Sequence, residues 1–423
     1  MNAMEGDIRG KMAAFILMLF LYFIVGLFTT INQQLQIPLQ VAMLPHTGNV
    51  TNALVTLLNF TWFLAYPLSE GFATRWVNQI GYRRTSLYAL LIFLLGLGIY
   101  ELAVLLHIYV PSFLFLLGNR ISTGFFIFLL GSFVIGVAVT ILQVVTGLYL
   151  QVYPMKKTTA VQRQMIGGTT NSVGMAIGPL VVSYVIFSGI PLHQVQTHQF
   201  IWPLVGLMTG VAVITFVTGK IKLPSVFIPD KKHIKLNRNV WSFSHLKLGV
   251  VGIFCYVGVE VAVGANINFY ATQLGHNFAL MATKMAALYW TGILIGRFWG
   301  SVYTRISGQT QLIFASLGAI LLLILAMLLK NPWILVGIGL FHSVMWPAIY
   351  ALALAKLGPY TAKASGILMI GVVGGGVIPF LQGILADILG GNWRETWWLV
   401  VAGEFYILYY GCIGYKVKQS IED

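Results

Sequence analysis

Residues 246–270 read LKLGVVGIFCYVGVEVAVGANINFY. Twenty-five residues of this kind are long and apolar enough to cross a bilayer, which takes about 20 mainly apolar positions. Past Lys247 at its start, Glu260 is the only charged residue in the run. A carboxylate at that depth is costly unless it lines a cavity or meets a partner, so it marks a candidate functional site. One helical step at a time, Tyr256, Glu260, Gly264 and Asn268 fall on a single face. That face offers polar groups and a gap suited to a ligand or a closely packed neighbour. The bland alternative is a protonated Glu260 that only bonds an adjacent helix.

The rest of the chain repeats the pattern. It has 423 residues, 58% hydrophobic and 9% charged, with a mean hydropathy of +0.84. Twelve spans are expected, at 12–37, 51–72, 85–106, 122–152, 161–187, 200–219, 246–272, 281–302, 311–329, 332–356, 364–390 and 396–416. Residues 107–121 add an apolar stretch too short to span twice. With the N-terminus inside, 21 Lys and Arg fall on the inner side and 4 (Arg120, Lys284, Lys330, Arg394) on the outer. That bias fits the positive-inside rule and places both termini in the cytoplasm. It also accounts for the net charge of +14. The basic excess is therefore read as topology and lipid contact, with no nucleic-acid surface.

The first apolar run is too long for a cleaved signal peptide. Cys255 and Cys412 both fall inside spans, which argues against a disulfide framework or a metal site. No GxxxxGKS/T phosphate loop and no catalytic triad or HExxH arrangement stands out. Direct ATP use, an enzyme and a cofactor are therefore not expected.

The longest charged stretch runs from Lys220 to Lys247 and divides the spans six and six. The expected domains are a bundle at 1–219, a basic cytoplasmic linker at 220–246 and a second bundle at 247–423. A short repeat fits this division: Val173-Gly174 precedes Pro179 in helix five, and Val373-Gly374 precedes Pro379 in helix eleven. Transporters built from such repeats hold substrate near the midplane between the halves.

Polar residues inside the spans supply binding candidates. Helix one carries Asn32, Gln33, Gln34 and Gln36. Four amides there need partners or water, and amides that both donate and accept suit sugar hydroxyls. Gln143 lies on one face of helix four with Thr140 and Gly147. Helix five has a stripe of Gln164, Gly167, Gly168, Asn171, Gly174 and Gly178. The stripe reads as a packing face, with Asn171 its polar exception. Helix ten offers His342, Trp346 and Tyr350 one turn apart, an aromatic platform for a pyranose. His342 is either a proton carrier or a bonded interior histidine. Glu404, among tyrosines in helix twelve, is expected at the lipid edge or in packing.

The turn after helix two reads Gly71-Phe-Ala-Thr-Arg75-Trp-Val-Asn-Gln-Ile-Gly81-Tyr-Arg83-Arg84 and follows Glu70. It resembles the loop-two signature of the major facilitator superfamily, without the usual acid inside the motif. The resemblance implies a cytoplasmic gate formed by Glu70, Gly71, Arg75, Arg83 and Arg84. A closer resemblance, to the fucose permease family with its glucose/galactose permeases, rests on three stretches. These are YVGVEVAVG (256–264), similar to VGxEVxxG; YWTGILIGRFWG (289–300), similar to YWxGxxxGRFxG; and His342 to Asp387 in helices ten and eleven.

This resemblance implies an all-α polytopic membrane protein with twelve helices in two six-helix bundles, the major facilitator fold. It implies a monomeric transporter in the cytoplasmic membrane that moves a monosaccharide, usually with H+. Carried over residue by residue, it is incomplete. Gln34 replaces the helix-one acid, Gln143 falls where helix four has an acid or Gln, Asn171 aligns with the family's helix-five Asn while Gly168 replaces a nearby Gln, and His342 stands where helix ten usually has Asn. The first-half carboxylates that the resemblance ties to proton coupling are thus absent. Either Glu260 takes over proton coupling or the protein equilibrates its sugar as a uniporter. The substrate-binding candidates are Asn32, Gln34, Gln143, Asn171, Asn268, His342 and Trp346. An exporter of drugs or metabolites and a non-transporting sensor are the competing readings.

Overall fold

A computed structural model describes residues 2–45, 47–116, 118–152, 158–221, 223, 239–302 and 306–417. Most of the expected 220–246 linker lies outside the described residues. Eleven helical stretches among the described residues are long and apolar enough to cross a membrane. They are α1 (Met12–Met43), a long stretch Gly48–Tyr109, α4 (Thr123–Val152), α5 (Gln162–Ile186), α6 (Thr197–Lys220), α7 (Ser244–Gln273), α8 (His276–Phe298), α9 (Gly308–Leu328), α10 (Trp333–Ala353), α11 (Lys363–Ile388) and α12 (Trp393–Gly414). Gly48–Tyr109 spans 62 residues, about 90 Å of helix at the standard rise and far more than one crossing needs. Gly81 breaks it with φ 79° and ψ 166°, a conformation cheap only for glycine. The two pieces, 51–80 and 82–109, are α2 and α3, and the chain therefore has twelve spans.

One detail of this region differs from expectation. The turn at 73–84 is not an open loop: helix continues to residue 80 and the reversal is concentrated at Gly81. Residues 107–121, too short for a further span, add none. Helix α3 runs through Tyr109, and Phe113–Leu116 (β1) then pairs antiparallel with Asn119–Ser122 (β2). Gly118, at φ 77°, takes the left-handed turn position. Arg120 stacks on the Phe113 ring at 3.7 Å, and His107 Nδ1 meets the Ser122 hydroxyl at 2.6 Å.

The chain divides into two compact units, Met1–Gly48 with Leu64–Pro229, and Asn49–Phe63 with Asp230–Asp423. In the first unit α5 lies along α1. A Cβ on Gly174 would collide with the Phe23 carbonyl, and one on Gly178 with Thr30 Oγ1. Gly26, on α1, abuts the Asn171 carbonyl in turn. Small residues are what allow two membrane helices this close. The second unit repeats the device. A Cβ on Gly374 in α11 would collide with the Phe254 carbonyl of α7. The Val-Gly repeat of the sequence thus marks the same contact in both units, the fifth helix against the first. The prolines of that repeat act differently. Pro179 is followed by a π-helical segment, Val181–Ile186, whereas Pro379 lies inside a regular α-helix, preceded by a 3-10 turn at Ile370–Val373.

The opening turns of α2 belong to the second unit, where they meet α11. Gly376 abuts the Phe60 main chain, and Gly383 abuts Asn52 and Thr56. The Asp387 carboxylate accepts from Asn52 N at 3.0 Å, Asn52 Nδ2 at 2.9 Å and Ala53 N at 2.7 Å. A helix N-terminus leaves such N–H groups without intrahelical partners, and a carboxylate there also complements the helix dipole.

Candidate functional site

The second unit gathers Glu260, His342 and Glu404 into one buried network. Helix α7 is buried along most of its length, so Glu260 is only 8% exposed. Tyr256, one turn earlier, donates to Glu260 Oε1 at 2.6 Å. Arg297 of α8 places Nη2 4.0 Å from the same oxygen. The carboxylate therefore has a hydroxyl donor and a nearby counter-charge, which offset part of the cost of burying it. The gap in the Glu260 stripe is filled: Gly264 lies against the Trp290 indole, and a Cβ there would collide with it.

Behind Glu260 lies a second buried pair. His342 of α10 and Glu404 of α12 are each 0% exposed, with His342 Nε2 and Glu404 Oε1 2.7 Å apart. Glu404 is therefore not at the lipid edge. The buried positions of α12 include Trp397, Val400, Val401, Glu404 and Ile407, a stripe at helical spacing that turns the carboxylate inward. Tyr289 of α8 joins this pair to α7. Its hydroxyl donates to the Glu260 main-chain carbonyl at 3.0 Å and lies 2.7 Å from His342 Nδ1.

Aromatic rings flank the same groups. Tyr256 packs edge-on to His342 at 6.1 Å and is tilted against Trp346 at 6.2 Å. Trp346 and Tyr350 stack at 6.3 Å with 18° between their planes. Both are half-buried, and the Tyr350 hydroxyl bonds Ser365. Asn268 is buried further along α7. Its neighbour Asn266 donates to Gln382, which donates to Thr396, so α7, α11 and α12 are tied together by amides.

The candidates of the first unit meet neutral partners. Asn32 Oδ1 accepts from the Tyr100 hydroxyl at 2.8 Å and from Ser132 at 3.1 Å. Gln34 is fully buried. Gln33 and Gln36 are buried with side-chain amides that find no hydrogen-bond partner among the described residues, so part of the helix-one amide cluster has hydrogen-bonding capacity unused by the protein. Gln143 accepts from Tyr66 at 3.1 Å. Asn171 donates to the Tyr22 carbonyl at 3.1 Å and so takes part in α1–α5 packing with the glycines around it. Among the gate candidates, Arg75, Arg83 and Arg84 are exposed and Glu70 is half-buried. Arg83 reaches the Gly219 carbonyl at the end of α6, where a cation complements the helix dipole. Outside its own helix, nothing among the described residues lies within 4 Å of where a Cβ on Gly71 would sit.

Two residues of the network escaped the sequence reading. Arg297 lies inside the YWTGILIGRFWG motif, where its charge also fits an inner-side position. Tyr289 opens that motif, and nothing in the sequence shows its partner 53 positions away.

Known proteins resemble the chain along its whole length. It is 30% identical over 412 residues to a glucose/galactose transporter of Brucella abortus, covering 94% of this chain and 92% of that one. It is 22% identical over 422 residues to the L-fucose-proton symporter of Escherichia coli, covering 91% and 89%. The crystal structure of the E. coli fucose:proton symporter superposes with a TM-score of 0.63 at 18% identity, over 96% of this chain and 98% of that one, and shares the twelve-helix fold. The family model described as Major Facilitator Superfamily matches residues 12–376. The chain belongs to the major facilitator superfamily and is a multi-pass membrane transporter, not an enzyme.

Proposed function

We propose that this transporter carries a monosaccharide of the fucose, glucose or galactose class across the cytoplasmic membrane by alternating access, in symport with a proton. The observation that carries the reading is the aromatic wall of Tyr256, Trp346 and Tyr350 beside the Glu260–Arg297 pair. The apolar face of a pyranose stacks on rings of this kind, while a carboxylate and a guanidinium bind its hydroxyls through charge-assisted hydrogen bonds. The glucose/galactose transporter and the L-fucose-proton symporter among the relatives support the same substrate class.

In this reading Trp346 supplies stacking, and Asn32, Gln34, Gln143, Asn171 and Asn268 contribute polar contacts. His342 supports the wall from behind, and Glu260 exchanges the proton. The protein acts as a monomer with both termini in the cytoplasm, on the 21 to 4 distribution of Lys and Arg. Glu70, Gly71, Arg75, Arg83 and Arg84 form the cytoplasmic latch, and the basic 220–246 segment joins bundles 1–219 and 247–423. A second reading, a sugar uniporter, is favoured by one observation: Glu260 already has Tyr256 and Arg297 as partners, so it can serve as a fixed binding group.

Counterflow in proteoliposomes loaded with unlabelled monosaccharides, repeated with and without an imposed pH gradient, tests the proposal. Exchange of fucose, glucose or galactose with gradient-driven accumulation is the expected result. Exchange without accumulation selects the uniporter. Absence of exchange with every sugar removes the substrate class. In Glu260→Gln, exchange is expected to persist while accumulation fails; unchanged accumulation would take Glu260 out of the coupling.

A further inference from the structure

The hydrogen bonds around His342 favour a hydrogen on Nδ1. The Glu260 main-chain carbonyl can only accept, so the one hydroxyl hydrogen of Tyr289 is directed there, at 3.0 Å. The Tyr289 oxygen is also 2.7 Å from His342 Nδ1, so that nitrogen must carry a hydrogen. On the far side, Nε2 lies 2.7 Å from Glu404 Oε1, and one more proton must sit between them. Imidazolium with carboxylate and imidazole with carboxylic acid both satisfy this. In either form the pair is neutral overall and one proton richer than an imidazole beside a bare carboxylate. Glu404 Oε2 is buried without a hydrogen-bond partner among the described residues, as befits a carboxyl group that does not carry a full, unshared charge.

The surroundings reinforce this. Helix α7 presents Cys255, Tyr256 and Glu260 to the region, and α8 presents Tyr289 and Arg297. Helix α9 has no ionisable side chain between Gly308 and Leu328. On α10 only Tyr350 accompanies His342. Helix α11 carries Lys363 and Asp387 at its two ends, and α12 adds Arg394 and Glu395 at its start and Tyr406, Tyr409 and Tyr410 beyond Glu404. Arg297, whose guanidinium lies 4.0 Å from Glu260, is the cation associated with this network.

Removing one proton changes the hydrogen bonding in a defined way. Neutral imidazole would keep its hydrogen on Nε2, facing the carboxylate. Nδ1 would then be a bare acceptor, satisfied only if Tyr289 turned its hydroxyl hydrogen towards it. Tyr289 would at that moment release the Glu260 carbonyl on α7. We propose that His342 and Glu404 together form a proton-exchange site distinct from the Glu260 carboxylate, and that Tyr289 reports its occupancy to helix α7. The exchanged proton comes from bulk water and returns to it, and only N–H and O–H bonds form or break. Tyr289 is a positioning residue here. The transport consequence rests on the proton-coupled reading above, but the proton site itself does not.

The experiment uses full-length protein, labelled with 15N-histidine and reconstituted in nanodiscs, as wild type, Glu404→Gln and Tyr289→Phe. His342→Gln identifies the His342 signals by subtraction. In wild type and Tyr289→Phe the His342 signals are expected to change with pH, and in Glu404→Gln to lose that change. A single state throughout in wild type, or the same titration in Glu404→Gln, overturns the site. In proteoliposomes, Glu404→Gln and Tyr289→Phe are each expected to lower gradient-driven glucose or galactose accumulation about tenfold while keeping counterflow. Wild-type accumulation in both variants, or loss of counterflow in both, overturns the coupling. If wild type itself exchanges no sugar, the substrate reading fails while the histidine titration still decides the proton site.

Discussion

The two units spend their buried polar groups differently. Among the described residues, the first buries amides and hydroxyls, with Arg163 its one buried charge. That guanidinium is taken up by the Leu150, Gln151 and Thr158 carbonyls, where α4 ends. The second unit buries Glu260, Glu404, His245 and His342, and three of these lie in one network. Yet both units join their first and fifth helices by the same device, a glycine against a phenylalanine carbonyl. The scaffold is repeated and the chemistry is not. Among the described residues, the buried carboxylates, Glu260 and Glu404, are both in the second unit.

The largest expected effect tests the shared scaffold. Gly174→Leu and Gly374→Leu each force a side chain into a carbonyl of the partner helix, at a cost of about 3 kcal/mol or more. Both are expected to abolish monodisperse protein on size exclusion in detergent. If one unit tolerates its leucine, the structural equivalence fails. The next effect belongs to the second unit alone. His342→Leu strands Glu404 without its partner, and breaking a buried pair costs about 3–5 kcal/mol. Its melting temperature is expected to fall well below that of Glu404→Gln, which keeps a hydrogen-bonding group opposite the imidazole. Equal melting temperatures would mean that Glu404 carries no charge needing a partner.

Trp346→Ala removes one ring of the stacked wall and is expected to weaken sugar binding about tenfold, or about 1.4 kcal/mol, in isothermal titration with glucose or galactose. Gln34→Ala should weaken it less, because other amides of α1 remain. The reverse order would move the binding wall to the first unit. The smallest effect is Asp387→Asn, which removes charge from the cap on α2 and should cost about 0.3–1 kcal/mol in a thermal melt. A larger loss would show that the cap holds more than one helix end.

How far the sequence could be read follows from the range of each signal. Spans announce themselves through about 20 adjacent apolar residues, so twelve could be placed from the chain alone. The α2–α3 junction lies later than expected because residues 73–80, with Thr74, Arg75, Asn78 and Gln79 among them, continue a helix that only Gly81 interrupts. The hairpin at Phe113–Ser122 is apolar yet too short for helix periodicity to register. Glu260 stood out because a lone acid in a span is expensive. Its partners did not: Arg297 passed as topology, and the bond from His342 to Glu404 crosses 62 positions. The Asp387 cap on α2 crosses 335. Contacts at such separations are set by tertiary packing, which no local pattern carries. The buried face of α12 was available as a stripe at helical spacing, but the usual position of that helix at the bundle edge outweighed it.

Under the proposed symport, a sugar and a proton move together through a transporter whose buried carboxylates, among the described residues, lie in its second unit. The most direct measurement is the external pH of a lightly buffered suspension of proteoliposomes on addition of fucose, glucose or galactose. Symport predicts alkalinisation that requires the sugar, disappears in Glu260→Gln and is abolished by a protonophore. Sugar counterflow in the same vesicles with no change in external pH would contradict the account and leave a uniporter.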